Sequence, residues 1–175
     1  GSGIWLHGTP SDTFSRPPQA SDGCVVLTNR DLEAIRQHVQ IGLTPVIISG
    51  TMEWVTPQSV QTVKQELNTV VEQWRRDWEG MDAEQYLKHY SASFNAGGQD
   101  LKAFARQKRQ VNSGKKWVKV KLDKVSMFSY PGRERLAVVT FDQDYASSNL
   151  ANKMRKRQYW IKEGALWKII HEGPA

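Results

Sequence analysis

The stretch Trp117–His171, WVKVKLDKVSMFSYPGRERLAVVTFDQDYASSNLANKMRKRQYWIKEGALWKIIH, decides the fold. Its apolar residues recur at period two, the spacing of a half-buried strand. Trp117, Val118, Val120, Leu122, Val125, Met127 and Phe128 read as one long strand with a slip in its alternation. Pro131-Gly132 is a turn. Leu136–Tyr145 is a second strand, with Val139, Phe141 and Tyr145 on one face. A polar connection over Ser147–Asn152 leads to a third, Lys153–Lys162, and Glu163-Gly164 turns into a last one, Leu166–His171. Four strands joined by short turns predict an antiparallel meander.

Upstream the period changes to 3.6. Val60, Val63, Leu67, Val70, Trp74 and Trp78 are spaced by three or four, which predicts an amphipathic helix starting near an N-cap at Ser59 and broken by Gly80. Asp82 caps a second helix with Tyr86, Leu87 and Tyr90 inward. After Phe94 and a turn over Asn95–Gln99, Asp100 caps a third, with Leu101, Phe104 and Ala105 on its apolar side. Three helices followed by a four-stranded meander give an α+β domain over residues 57–175, with residues 51–56 as a linker.

Residues 1–50 read differently. They contain LHGTPSDTFSRPPQASDGCVVLTNR, from Leu6 to Arg30, and with it the single cysteine of the chain. Ile4-Trp5-Leu6 reads as a strand ending at His7, Gly8–Ala20 as a loop interrupted by Pro10, Pro17 and Pro18, and Cys24–Leu27 as a second strand. A helix follows to about Val39, with Asp31 near its positive end, and TPVIIS, Thr44–Ser49, reads as a buried strand. Cys24 and His7, at two strand ends across a loop, fit a thiol nucleophile and its base, since a free thiol is mostly protonated at neutral pH. A backbone N–H beside Cys24 would serve as an oxyanion donor, and Gly23 lets the backbone approach a substrate. Spacing alone leaves a second reading open, in which Cys24 is a small core residue.

Charge divides unevenly. Residues 1–56 hold 3 basic and 5 acidic residues, the remainder 21 basic and 13 acidic. A basic second domain faces an anionic partner. Lys153, Arg155 and Arg157 on the third strand are the candidate polymer contact, with Arg106–Arg109 as a second basic run and Trp117, Tyr130 and Trp160 as ring surfaces for stacking. Asp142, Asp144, His89 and His171 are the acid–base candidates of this domain, although Asp142 and Asp144 read more simply as solvated outer-face residues. No pair of ligands has metal spacing, no nucleic-acid motif accompanies the basic residues, and no apolar run approaches the roughly 20 residues that span a bilayer. One cysteine excludes an internal disulfide.

The His7-Gly8 pair followed by Ser21-Asp22-Gly23-Cys24-Val25-Val26 resembles the active-site signature of the YkuD-type L,D-transpeptidases, in the branch with L,D-carboxypeptidase-like members. There the thiol is the nucleophile, so the resemblance implies Cys24 as nucleophile, His7 as base and Gly23 at the oxyanion, with Gly8, Ser21 and Asp22 toward the substrate. Asp22 stands where most of that family has a second histidine, and Val26 where many members have Asn or Arg. Residues 57–173 resemble the cone of the nuclear transport factor 2-like, or SnoaL-like, family, through Trp74–Trp78, DAEQYLKHYSASF, VTFDQDY and WIKEGALWKII. Together the resemblances imply a partial, β-rich YkuD catalytic segment over residues 1–50, completed by strands before Gly1 in a longer protein, and an NTF2-like cone. They imply a periplasmic or cell-envelope enzyme acting on peptidoglycan stem peptides, without metal or cofactor, possessing an accessory domain that binds cell wall or forms a homodimer. The alternative is a non-catalytic NTF2-like module carrying an inert catalytic remnant.

Overall fold

The structure, a computed structural model, describes residues 4–10, 21–41, 44–52, 54–130, 132 and 135–175. The chain divides into two compact units, Gly1–Val46 and Ile47–Ala175. In the first, β1 (Leu6–His7) and β2 (Val25–Val26) pair in parallel, Leu6 opposite Val25 and His7 opposite Val26. The helix α1 (Asn29–Arg36) follows at once, because the Thr28 hydroxyl accepts from the Asp31 N–H and satisfies an orphan donor of its first turn. It stops three residues short of the expected Val39. Most of the Gly8–Ala20 loop lies outside the described residues.

The buried strand expected at Thr44–Ser49 is absent. The segment has no strand pairing among the described residues, and Val46 and Ile48 are 59% and 72% exposed. An apolar run becomes a strand only where a neighbour takes its backbone groups, and β1 and β2 form a sheet of two.

In the second unit α2 (Pro57–Glu79) begins earlier than expected. Thr56, not Ser59, is the N-cap, accepting from the Ser59 N–H, and Pro57 occupies the first helical turn, where a missing N–H costs nothing. Its buried face is Leu67, Val71, Trp74 and Trp78, while Val60 is exposed. The helices α3 (Ala83–Leu87) and α4 (Leu101–Ser113) start at Asp82 and Asp100, whose carboxylates accept first-turn N–H groups. Between them β3 (Asn95–Ala96) and β4 (Gln99–Asp100) form a small hairpin at the expected turn.

The meander is present as β5 (Val118–Tyr130), β6 (Leu136–Ser147), β7 (Ala151–Glu163) and β8 (Leu166–Pro174), antiparallel in sequence order. The expected slip is a bulge between Asp123 and Ser126, where Lys124 takes φ +48°. Both middle strands run longer than expected, so the polar connection contracts to the residues between Ser147 and Ala151. The turn before β6 lies mostly outside the described residues. Helices cover the inner face of this curved sheet, which is the cone of an NTF2-like domain. Trp74 packs 5.9 Å from Phe141, ring to ring, and both are fully buried, as are Trp160, Ile169 and Val139.

At the outer edge α2 reaches across to β5. Glu79 accepts from the Val120 N–H at 2.7 Å, and Arg75 donates to the Val120 carbonyl at 3.2 Å. Arg75 is itself held between Glu72 and Glu79, and its hydrogen bond brings the Glu72 carboxyl down to about 2.

Candidate functional site

Parallel pairing puts His7 opposite Val26, and Cys24 stands two residues before Val26. The ladder continues on both sides, from the Val25 N–H to the Trp5 carbonyl and from the Leu27 N–H to the His7 carbonyl, each at 2.9 Å. Alternation returns Cys24 to the face that Val26 shares with His7. His7 ends β1, and Cys24 immediately precedes β2. Both residues are half-buried.

The imidazole is oriented by backbone. His7 Nδ1 lies 2.7 Å from the Gly8 carbonyl. A carbonyl only accepts, so in the neutral ring Nδ1 carries the proton and Nε2 keeps its lone pair, the state a general base requires. The group against Nδ1 is this carbonyl rather than Asp22, which is exposed in the bend before Cys24. Ser21 acts on the loop, its hydroxyl donating to the Cys24 carbonyl at 2.7 Å. Gly23 has φ +108°, a conformation that L side chains rarely adopt, so the turn into Cys24 depends on glycine.

The cone interior carries a second constellation, which alternation in β7 assigns once Trp160 is placed inward. Lys156 and Gln158 share its face, while Arg155 and Arg157 turn out. Lys156 donates to Glu172 at 2.9 Å and Gln158 donates to the same carboxylate at 3.0 Å. The Tyr90 hydroxyl donates to Glu172 at 3.2 Å, receives the Trp74 indole N–H at 3.2 Å and lies 2.5 Å from the Tyr86 hydroxyl. Burial pushes the Glu172 carboxyl up, but the Lys156 and Lys108 ammonium groups outweigh it and hold the carboxyl below its ordinary range. Desolvation dominates at both tyrosines and pushes their hydroxyls well up, so they act as neutral donors.

Lys108 closes this interior. Its ammonium lies over Trp78, Tyr86 and Phe104, 5.2, 5.5 and 4.9 Å from the ring centroids. Burial pushes it down to about 8; Glu172 opposes this, and Lys156 and Lys115 add to it. Between about pH 8 and about pH 10.4 an unfolded chain therefore holds a proton here that the folded chain has released. Stability from this group rises with pH across that window, by up to about 1.4 kcal/mol per pH unit, and is flat below it. The unfolding free energy of the wild type minus that of Lys108→Met is expected to climb from pH 8 to pH 10 in denaturant titrations. A constant difference would contradict the buried ammonium.

The other sequence candidates are engaged elsewhere. Asp142 binds Arg155 at 2.8 Å and Lys124 at 3.1 Å, and Asp144 binds Lys153 at 2.7 Å. Two of the three residues expected to contact polymer are thus paired to acids on the neighbouring strand, and Arg157 is exposed. His89 Nε2 pairs with Asp77 at 2.7 Å, while burial pushes the imidazole down. His171 Nδ1 donates to the Asn95 carbonyl at 2.7 Å. Trp160 is fully buried, so it offers no stacking surface, whereas Trp117 and Tyr130 are nearly half exposed. Among the described residues no group of three or more His, Cys, Asp or Glu is placed to hold a metal, and no helix is long and apolar enough to cross a membrane.

Residues 66–173 match the family model described as the Cds6 C-terminal NTF2-like domain, and residues 1–48 match that of the L,D-transpeptidase catalytic domain. Among solved structures the chain is similar to Bd1075 of Bdellovibrio bacteriovorus, at 30% identity and a TM-score of 0.76, covering 100% of this chain and 62% of that one. It is similar to the helical cell shape determining protein Pgp2 from Campylobacter jejuni, at 26% identity and a TM-score of 0.74, covering 99% and 61%. An NTF2-like superfamily protein from Salmonella enterica, at 20% identity and a TM-score of 0.54, covers 66% of this chain and 93% of that one, and shares the fold. The chain thus spans about three fifths of the length of the first two. No curated protein sequence matches it.

Proposed function

Since the chain belongs, through residues 66–173, to the family of the Cds6 C-terminal NTF2-like domain, we propose that it is part of a cysteine L,D-transpeptidase or L,D-carboxypeptidase that acts on peptidoglycan stem peptides in the cell envelope. The match of residues 1–48 to the L,D-transpeptidase catalytic domain and the likeness to a cell shape determining protein support this reading. The observation that carries it is the hydrogen bond from His7 Nδ1 to the Gly8 carbonyl, on a strand in parallel register with the one that follows Cys24.

In this reading His7 Nε2 takes the Cys24 thiol proton. The thiolate attacks the carbonyl of an amide that leads to a D-amino acid, and backbone N–H groups at Gly23-Cys24 hold the oxyanion. The C–N bond breaks as the imidazolium returns its proton to the leaving amine. Water or an acceptor amine then releases the acyl group from the thioester, giving hydrolysis or transfer. The basic second unit holds anionic cell-wall polymer close by. The 21 basic against 13 acidic residues of 57–175 support that role, with the exposed Arg157 a better contact than the paired Lys153 and Arg155.

A carbapenem, which acylates the thiol of this family, tests the reading on the full-length protein. The intact mass is expected to rise by one carbapenem in the wild type and to stay unchanged in Cys24→Ala. A wild type that gains no mass would remove Cys24 as an accessible nucleophile.

A further inference from the structure

We propose that Asn29 is a positioning residue for His7, acting through the single peptide unit that joins Gly8 to Thr9; the proposal rests on His7 being the base of the reading above. Both ends of that peptide are bonded. Its carbonyl, on Gly8, accepts from His7 Nδ1 at 2.7 Å, and its N–H, on Thr9, donates to Asn29 Oδ1 at 2.8 Å. A peptide is planar, so fixing the N–H fixes the direction of the carbonyl. The carbonyl in turn fixes which nitrogen of His7 carries the proton.

The anchor is firm at both supports. Asn29 is the first residue of α1, and the Thr28 cap holds the start of that helix. The His7 main chain is held independently by the Leu27 N–H. Asn29 also explains why position 8 is glycine. A Cβ there would lie 2.1 Å from Asn29 Oδ1 and 3.4 Å from Leu32 Cδ2, although Gly8 has no positive φ to require it. The glycine makes room for the amide oxygen rather than for an unusual backbone turn.

Without that oxygen the Thr9 N–H loses this acceptor, and the peptide turns about its flanking bonds. The carbonyl then leaves Nδ1, and the neutral imidazole becomes a mixture of tautomers, of which one cannot accept the thiol proton at Nε2. The test is side-chain ¹⁵N NMR of His7 in the full chain, assigned against His7→Gln, together with the rate of Cys24 alkylation by iodoacetamide against pH. The wild type is expected to show one neutral tautomer, protonated at Nδ1. Asn29→Ala is expected to show mixed tautomers and alkylation slowed about tenfold near neutral pH, less than the loss of a general base itself. Asn29→Asp keeps an acceptor oxygen in place and is expected to restore both. Gly8→Ala, which drives the Asn29 oxygen away, is expected to reproduce the mixture.

A wild-type tautomer in Asn29→Ala, or no recovery in Asn29→Asp, would overturn the proposal. Neither measurement involves peptidoglycan. A chain that behaves as expected here, yet takes up no carbapenem, would retain the role of Asn29 and lose the proposed enzyme.

Discussion

Cys24→Ala in the full-length protein is expected to lower the trimming or cross-linking of stem peptides by about a thousandfold or more, as removal of a covalent nucleophile does. The whole proposed route passes through the thioester, so no other side chain substitutes for the thiol. Cys24→Ser separates chemistry from folding. It keeps the volume of a half-buried side chain and supplies a hydroxyl that a lone imidazole activates poorly. Both variants should therefore melt like the wild type while their peptidoglycan digests, resolved by chromatography, keep the muropeptide pattern of undigested material. A Cys24→Ala digest indistinguishable from that of the wild type would end the acyl-enzyme reading.

Lys156→Met is expected to destabilise the second unit by about 3–5 kcal/mol, because it leaves the Glu172 carboxylate buried without its ion-pair partner. The melting temperature should fall by about 10 °C or more. The double variant Lys156→Met/Glu172→Gln removes both charges and keeps an acceptor for Gln158 and Tyr90, so it should recover most of the loss. The pH dependence has a definite sign. In the wild type the carboxyl is held below its ordinary range, so its stabilising contribution is present above the unfolded carboxyl value and lost as pH falls through the folded one. With Lys156 gone, burial dominates and raises that carboxyl. Lowering the pH then neutralises an unfavourable buried charge, and the gap between variant and wild type should narrow. Equal melting temperatures for Lys156→Met and wild type at neutral pH would refute a structural role for the pair.

The meander is legible in sequence because apolar residues recur at period two along much of its strands. Val139, Phe141 and Tyr145 fall where expected, and even the slip near Val125 marks a real bulge. The caps at Asp82 and Asp100 are equally plain, since a short acidic side chain before an apolar period has one local use. Thr44–Ser49 misleads because composition records apolarity and not the presence of a neighbour. Lys156 is hidden for a related reason. Read as a run, Arg155-Lys156-Arg157 is a basic patch; read by alternation from Trp160, it is one inward lysine between two outward arginines, and the acid that accepts it is 16 residues away. In the first unit residue type and flanking glycines single out His7 and Cys24 as the proposed pair. Asn29 does not, because beside Thr28 it reads as part of a helix start, and its bond to Thr9 closes a 20-residue loop.

The reach of Arg75 and Glu79 to Val120 has a consequence beyond anchoring a helix. A strand at the margin of a sheet presents alternating donors and acceptors that another extended chain can continue. Here a carboxylate takes the donor and a guanidinium takes the acceptor of the same residue, so the two hydrogen bonds an incoming strand would form with Val120 are already made. Two side chains one helical turn apart thus imitate the next strand of the sheet and terminate its lateral growth at that position.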